Sequence, residues 1–221
     1  MSEKNKLKIL IAGGAIRDLL LGNKPKDLDY LIAAGSVEEF RAAFPEARPV
    51  GKSYEIFYLK GLEFSFPRVS GNNTEKTIDL DLKARDFTAN CLALGEDGEL
   101  YAHPRALEDI QNRVLRPSFP DTFKKDPLRV FRAAAFVARF PEFTAHTELI
   151  VEMKRCAASG WLADIAPDRI GVELRKALNG PKPGNFLRLL IEGNCLEPWF
   201  TEFSGAAEIP AGPPQYHDKS V

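Results

Sequence analysis

Between residues 8 and 34 the chain reads "KILIAGG", then "AIRDLLLG", then, after a polar link, "DLDYLIAA". The first and third segments carry apolar runs too short for buried helices and bounded by turn residues, so they are read as strands. "AIRDLLLG" is a short helix closed by Gly22. A strand, a glycine pair, a helix and a second strand in succession require a sheet with helices packed on it, and with the helical pattern that begins at Phe119 this places the chain in the α+β class. The second strand carries an anomaly. Asp27 and Asp29 are two apart, so in an extended chain their carboxylates share one face and repel each other.

A hard divalent cation offsets that repulsion. Mg²⁺ takes oxygen ligands, commonly one or two carboxylates plus substrate phosphates, and a pair of such ions can activate a hydroxyl and stabilise a leaving pyrophosphate. Upstream, Gly13-Gly14 lets the backbone approach an anion closely, and Arg17 supplies a forked donor for phosphate oxygens. Downstream, Glu63 alternates with Phe64 and Phe66 in "LEFSFPR" and faces away from the apolar side, which makes it a candidate third carboxylate. Arg85, before Asp86 in "KARDFTANCLAL", is a candidate phosphate or ribose contact, with Asp86 as a helix cap. Each piece has a plain structural reading: a tight turn, a solvated strand end, a surface ion pair. Their combination points to phosphoryl chemistry.

Further along, Ser36 caps a helix over "SVEEFRAAF", and "YEIFYLKGLEFSFPR" is a hairpin turning near Lys60-Gly61. "VSGNNTEKTIDLDL" reads as a mobile polar loop. From Phe119 the pattern turns helical, with Asp126 as candidate N-cap and Pro127 at the first helical position of "KDPLRVFRAAAFVARF". Further helices run to Gly160, from Pro167 to Gly180, and over "NFLRLLIEGN". The expected organisation is a head over residues 1–118, an all-helical neck over 119–205 and a Pro/Gly-rich linker over 206–221. Arg129, Arg132 and Arg139 fall on one side of the Asp126 helix, and Asp126 and Arg129 face together at i, i+3. A carboxylate beside a guanidinium accepts one hydrogen bond and donates another. Cytosine and adenine both present an amino donor beside a ring-nitrogen acceptor, so this pair would accept C and A and reject U and G without a template.

The net charge of −1 gives no global basic signal, so any nucleic acid must be held by a local patch. Three scattered cysteines, Cys91, Cys156 and Cys195, argue for a reducing cytosol and against a disulfide frame or zinc site. No apolar run approaches the roughly 18 residues of a membrane span.

Taken in order, "GGAIRDLLLG", "KDLDYLI", "EFSFPR", "ARDFTANCLAL", "LEDIQNRVLR" and "DPLRVFRAAAFVARF" resemble the bacterial class II tRNA nucleotidyltransferase and poly(A) polymerase family, the CCA-adding enzymes. The resemblance runs from about Ile9 to Leu178. It implies a polymerase-β-like head with a small mixed sheet flanked by helices, followed by a helical neck. It also implies a cytoplasmic enzyme that transfers CMP or AMP from CTP or ATP to the 3′ end of tRNA or another RNA. By that resemblance Gly13, Gly14 and Arg17 bind the triphosphate, and Asp27 and Asp29 hold two Mg²⁺ or Mn²⁺ ions with Glu63 as third carboxylate. Arg85 contacts the nucleotide, Asp126 and Arg129 read the base with Arg132 in support, and Arg169 and Glu173 brace the base-reading helix.

The chain departs from the family pattern at Ala84, where an arginine is usual, and at Lys125, where a glutamate is usual. It departs again at His103 and Ala106, where the pattern has Asp and Gly. The segment between Arg68 and Asp86 is short, which favours a CC-adding, A-adding or polyadenylating specialist. The departures also leave room for a non-catalytic binding derivative, and the phosphate cradle alone would suit a small-molecule nucleotidyltransferase. The closing "PPQYHDKSV" resembles the run-in to an HD phosphohydrolase domain, so a longer protein is expected. Oligomeric state is not legible.

Overall fold

Alternating side chains on a central pair of strands set out the first unit of the structure. The computed structural model describes residues 7–50, 55–67, 71 and 73–205. The linker expected over 206–221, with His217 and Asp218, lies outside them. The chain divides into two compact units, Met1–Asn112 and Arg113–Val221.

In the first unit the elements run β1 (Lys8–Ala12), α1 (Gly14–Leu20), β2 (Asp29–Ala34), α2 (Val37–Ala43), β3 (Arg48–Val50), β4 (Ile56–Leu59), β5 (Leu62–Ser65), α3 (Thr74–Lys83), β6 (Leu92–Gly95), β7 (Leu100–Ala102) and α4 (Ala106–Gln111). A 3-10 turn, Thr88–Asn90, precedes β6. The seven strands form one mixed sheet in the order β3-β4-β5-β2-β1-β6-β7, with β2 and β5 parallel and the other pairs antiparallel. Leu31 and Ala33 point to one face, where Ile78 and Leu82 of α3 join Leu10, Cys91 and Ala93. Ile32 points to the other, where Phe40 of α2 meets Phe57 and Phe64. Period-two alternation buried on both faces explains why these strands read as continuous apolar runs.

Local chemistry sets the boundaries. Lys60 and Gly61 both take positive φ, 51° and 84°, the signature of a two-residue hairpin turn. Ser36 and Glu39 form a capping box: Glu39 N–H donates to Ser36 Oγ at 3.2 Å and Ser36 N–H donates to Glu39 Oε2 at 2.7 Å. Ser36→Ala should therefore cost about 1 kcal/mol in urea unfolding. No change in the midpoint would show the cap to be idle.

Where a mobile loop was expected, Thr74–Lys83 is helical. Asn73 caps it by accepting from Lys76 N–H at 2.8 Å. Ile78 and Leu82, four apart, enter the core and reward the helix at about 1.5–3 kcal/mol each. β2 also starts later than the strand signal suggests. Asp29 is its first residue and Asp27 lies in the lead-in.

The second unit contains β8 (Val114–Leu115), α5 (Thr122–Lys125), α6 (Arg129–Arg139), β9 (Thr144–Ala145), α7 (Thr147–Ala158), α8 (Pro167–Leu178) and α9 (Gly184–Glu192). Among its described residues it is helical except for one short parallel pair, β8 with β9. That pairing draws residues 113–118, which the composition change assigned to the head, into this unit. Helix α6 is its centre, buried from Arg129 to Ala138 apart from Arg132, and packed on α8 and α9. Asp126 is not the N-cap of this helix. It ends α5 at φ −151°, ψ 96°, because the residue before a proline is forced out of the α region. The chain turns through Pro127, with Arg129 N–H donating to Asp126 C=O at 3.1 Å, before α6 begins. All three cysteines are free and buried. Among the described residues no helix is long and apolar enough to cross a membrane.

Candidate active site

In the first unit, sheet register gathers the acids. Asp29 pairs with Ala12 on β1 and with Glu63 on β5. Glu63 faces Tyr58 across the hairpin, and Tyr58 Oη donates to Glu63 Oε2 at 3.0 Å. That bond raises the Tyr58 phenol pKa above its usual value. The Asp29 carboxyl is also raised. Loss of hydration is the main cause, Glu63 adds to it, Arg85 opposes it and Asp27 adds again. Asp29, Glu63, Arg85 and Asp27 therefore lie within electrostatic reach of one another.

The glycine turn lies under two guanidinium groups. Gly13 adopts φ 82°, ψ −140°, and a Cβ there would stand 2.8 Å from Arg85 Nη1. A Cβ on Gly14 would stand 3.1 Å from Arg17 Nη2. Arg85 is held by Asp81 of α3 at 3.0 Å. Arg17 is only 5 % exposed. It donates to Asp18 Oδ1 from Nε at 2.9 Å and from Nη2 at 2.6 Å, and from Nη1 to Asn90 Oδ1 at 2.6 Å. Asn90 Nδ2 in turn donates to Asp86 Oδ1 at 3.0 Å, which also accepts Phe87 N–H at 2.8 Å. Asp86 thus organises the 3-10 turn through Asn90, although the residue at the cap position is Phe87. Thr88 Oγ1 donates to buried Asp109 Oδ2 at 2.6 Å and ties this turn to α4. Asn90, Asp81 and Tyr58 escaped the sequence reading. A neutral amide carries no pattern, and the other two contacts depend on register and on the unrecognised α3.

In the second unit, Arg129 is 6 % exposed and donates from Nη1 to Thr122 Oγ1 at 2.6 Å. Its Cζ lies 5.5 Å from the Phe119 ring centroid, and Lys125 Nζ lies 5.5 Å from the same centroid. Lys125, where a glutamate is usual, thus rests near an aromatic ring. Asp126 Oδ1 is reached by Arg169 Nη2 at 3.5 Å, and Arg132 is half-buried on α6. Glu173 is buried and pairs with Lys176 at 2.8 Å. Back in the first unit, His103 Nδ1 accepts Arg105 N–H at 3.2 Å at the entry to α4, the role a short carboxylate would play. Ala84, buried, ends α3.

The described residues contain no group of three or more His, Cys, Asp or Glu side chains that could hold a metal ion. Asp27 and Asp29 offer carboxylate oxygens, the donor type that Mg²⁺ takes alongside phosphate and water. Their oxygens are hard donors; the Asp29 carboxyl is raised first by lost hydration and then by Glu63, with Arg85 opposing.

Residues 9–116 match the family described as "Poly A polymerase head domain", and residues 142–206 match "Probable RNA and SrmB-binding site of polymerase A". The Multifunctional CCA protein of Stenotrophomonas maltophilia is 36 % identical over 221 aligned residues, covering 92 % of this chain and 54 % of its own length. The Bacillus stearothermophilus CCA-adding enzyme in complex with CTP superposes with TM-score 0.71 at 29 % identity, over 85 % of this chain and 48 % of that one. A tRNA nucleotidyltransferase complexed with a primer tRNA and an incoming ATP analogue superposes with TM-score 0.70 at 26 % identity, over 86 % and 58 %. The chain spans about half the length of the curated relatives it matches. With a mixed-sheet head, a helical region after it, and matches to both parts, the chain belongs to the class II CCA-adding enzyme and poly(A) polymerase family, of which it carries the head and the RNA-binding neck portion.

Proposed function

We propose that this chain is a template-independent RNA nucleotidyltransferase that adds CMP, AMP or both, from CTP or ATP, to the 3′ end of tRNA. The observation that carries the reading is the register that sets Asp29 beside Glu63, within reach of an arginine held over a glycine turn. Asp27 and Asp29 would hold Mg²⁺ or Mn²⁺, which when bound neutralises phosphate charge and makes a hydroxyl more acidic. Gly13-Gly14 lets the triphosphate approach the backbone, and Arg85 offsets its charge. Arg17, held by Asp18 and Asn90 beside the turn, would add a guanidinium to the triphosphate cradle. Glu63, oriented by Tyr58, would hold the RNA 3′-hydroxyl by accepting its hydrogen bond. Asp126 and Arg129 would recognise the amino and ring-nitrogen edge shared by C and A, with Arg132 supporting and Arg169 holding Asp126.

A specialist adding only C or only A is favoured by one further observation. Before Asp86, Thr74–Lys83 is a docked helix with Thr77, Ile78, Asp81 and Leu82 buried, a fixed element where a pocket that switches between nucleotides calls for movable chain. The test presents each nucleotide separately to tRNA lacking its 3′-terminal CCA and to tRNA already ending in CC, and sequences the product ends. Extension with C, A or both, and not with U or G, is expected. No extension with any nucleotide would leave a binding derivative, and equal extension with all four would remove the base-reading pair.

A further inference from the structure

A guanidinium that reads a base must hold its plane, because hydrogen bonds weaken steeply off-axis. Arginine has several rotatable bonds, so the plane has to be fixed from outside its own helix. Arg129 lies in the first turn of α6, and residues before that helix hold it. Thr122 Oγ1, fully buried on α5, accepts from Nη1 at 2.6 Å. Thr122 is itself anchored, since its carbonyl accepts Asp126 N–H at 3.2 Å. The Phe119 ring provides the second fixed element, with Arg129 Cζ at 5.5 Å and Lys125 Nζ also at 5.5 Å from its centroid.

We propose that Thr122 is a positioning residue for nucleotide selection, its hydroxyl fixing the Arg129 guanidinium in the orientation in which it meets the base, with Phe119 as the supporting surface. This rests on the base-reading role proposed for Arg129. Thr122 touches no nucleotide in this scheme. It lowers the freedom of the group that does, and so acts on the difference between nucleotides.

The test measures equilibrium binding of CTP, ATP, UTP and GTP to the full 221-residue chain in Mg²⁺, alongside the thermal midpoint. Thr122→Val keeps the shape and removes the acceptor. It should weaken binding of the preferred nucleotide about tenfold and shrink the preference over UTP by a similar factor. Thr122→Ser should restore both, and Phe119→Leu should give a smaller loss of preference. A Thr122→Val chain that melts lower but keeps its preference would show the hydroxyl to be packing alone and overturn the proposal. Arg129→Lys separates the two layers. If it loses the preference while Thr122→Val keeps it, only the role of Thr122 falls. If Arg129→Lys keeps it, or the unmodified chain shows none, the base-reading role falls and this inference with it.

Discussion

Asp29→Asn should cut nucleotide addition by about 10²–10³-fold, the scale of losing one preorganised electrostatic group, while raising the melting temperature near neutral pH only slightly, because Asp29 is exposed at the start of β2 and water screens its charge. Both effects have one cause. The Asp29 carboxyl is raised by lost hydration and by Glu63 and Asp27, with Arg85 opposing. A carboxylate whose pKa is higher folded than unfolded contributes stability when protonated, and that contribution is lost as pH rises through the folded value. At neutral pH the ionised group therefore works against folding, and a neutral amide removes the cost. In buffer containing a chelator the Asn variant should melt higher at pH 7, and the gain should shrink as pH falls toward about 4, where Asp itself becomes neutral. Full activity in the variant would remove Asp29 from the chemistry. A lower melting point at pH 7 would show that the acids are already compensated.

The acids Asp27, Asp29 and Glu63 were legible as charges set among apolar residues, which made them stand out in the sequence. Their convergence was not legible, since it depends on β2 and β5 pairing in parallel across intervening elements. The Ser36 cap and the Lys60-Gly61 turn were legible because one or two residues determine each. Helix α3 was hidden by its own composition. Its buried positions are Thr77, Ile78, Asp81 and Leu82, so half of the inward stripe is polar and "IDLDL" imitates a strand's alternation. Asp81 tolerates burial because Arg85, four residues on, pairs with it. Missing the helix meant missing what holds Arg85. In the second unit, Asp126 was misplaced as a cap because Pro127 was read for its own φ and not for the constraint it puts on its predecessor.

Gly13→Ala should damage both stability and nucleotide binding, and a second glycine separates the two. At φ 82°, ψ −140° an alanine is strained by about 1–3 kcal/mol. Its Cβ would also fall 2.8 Å from Arg85 Nη1. The guanidinium is the far end of a flexible side chain, so it yields and the backbone keeps its course. Yielding displaces the Arg85 guanidinium from the glycine turn, where its charge offsets that of Asp29. The cost then appears at the site as weaker triphosphate binding by about 10–100-fold, the scale of a charge-assisted hydrogen bond. Gly22 also has positive φ, 76°, but nothing lies within 4 Å of a Cβ there. Gly22→Ala should therefore lower the melting point and leave nucleotide affinity unchanged. If both variants lose stability and neither loses affinity, Arg85 is a structural residue and the triphosphate is held elsewhere. If Gly13→Ala alone loses affinity, the glycine at the end of β1 is required because Arg85 occupies the space a side chain would fill.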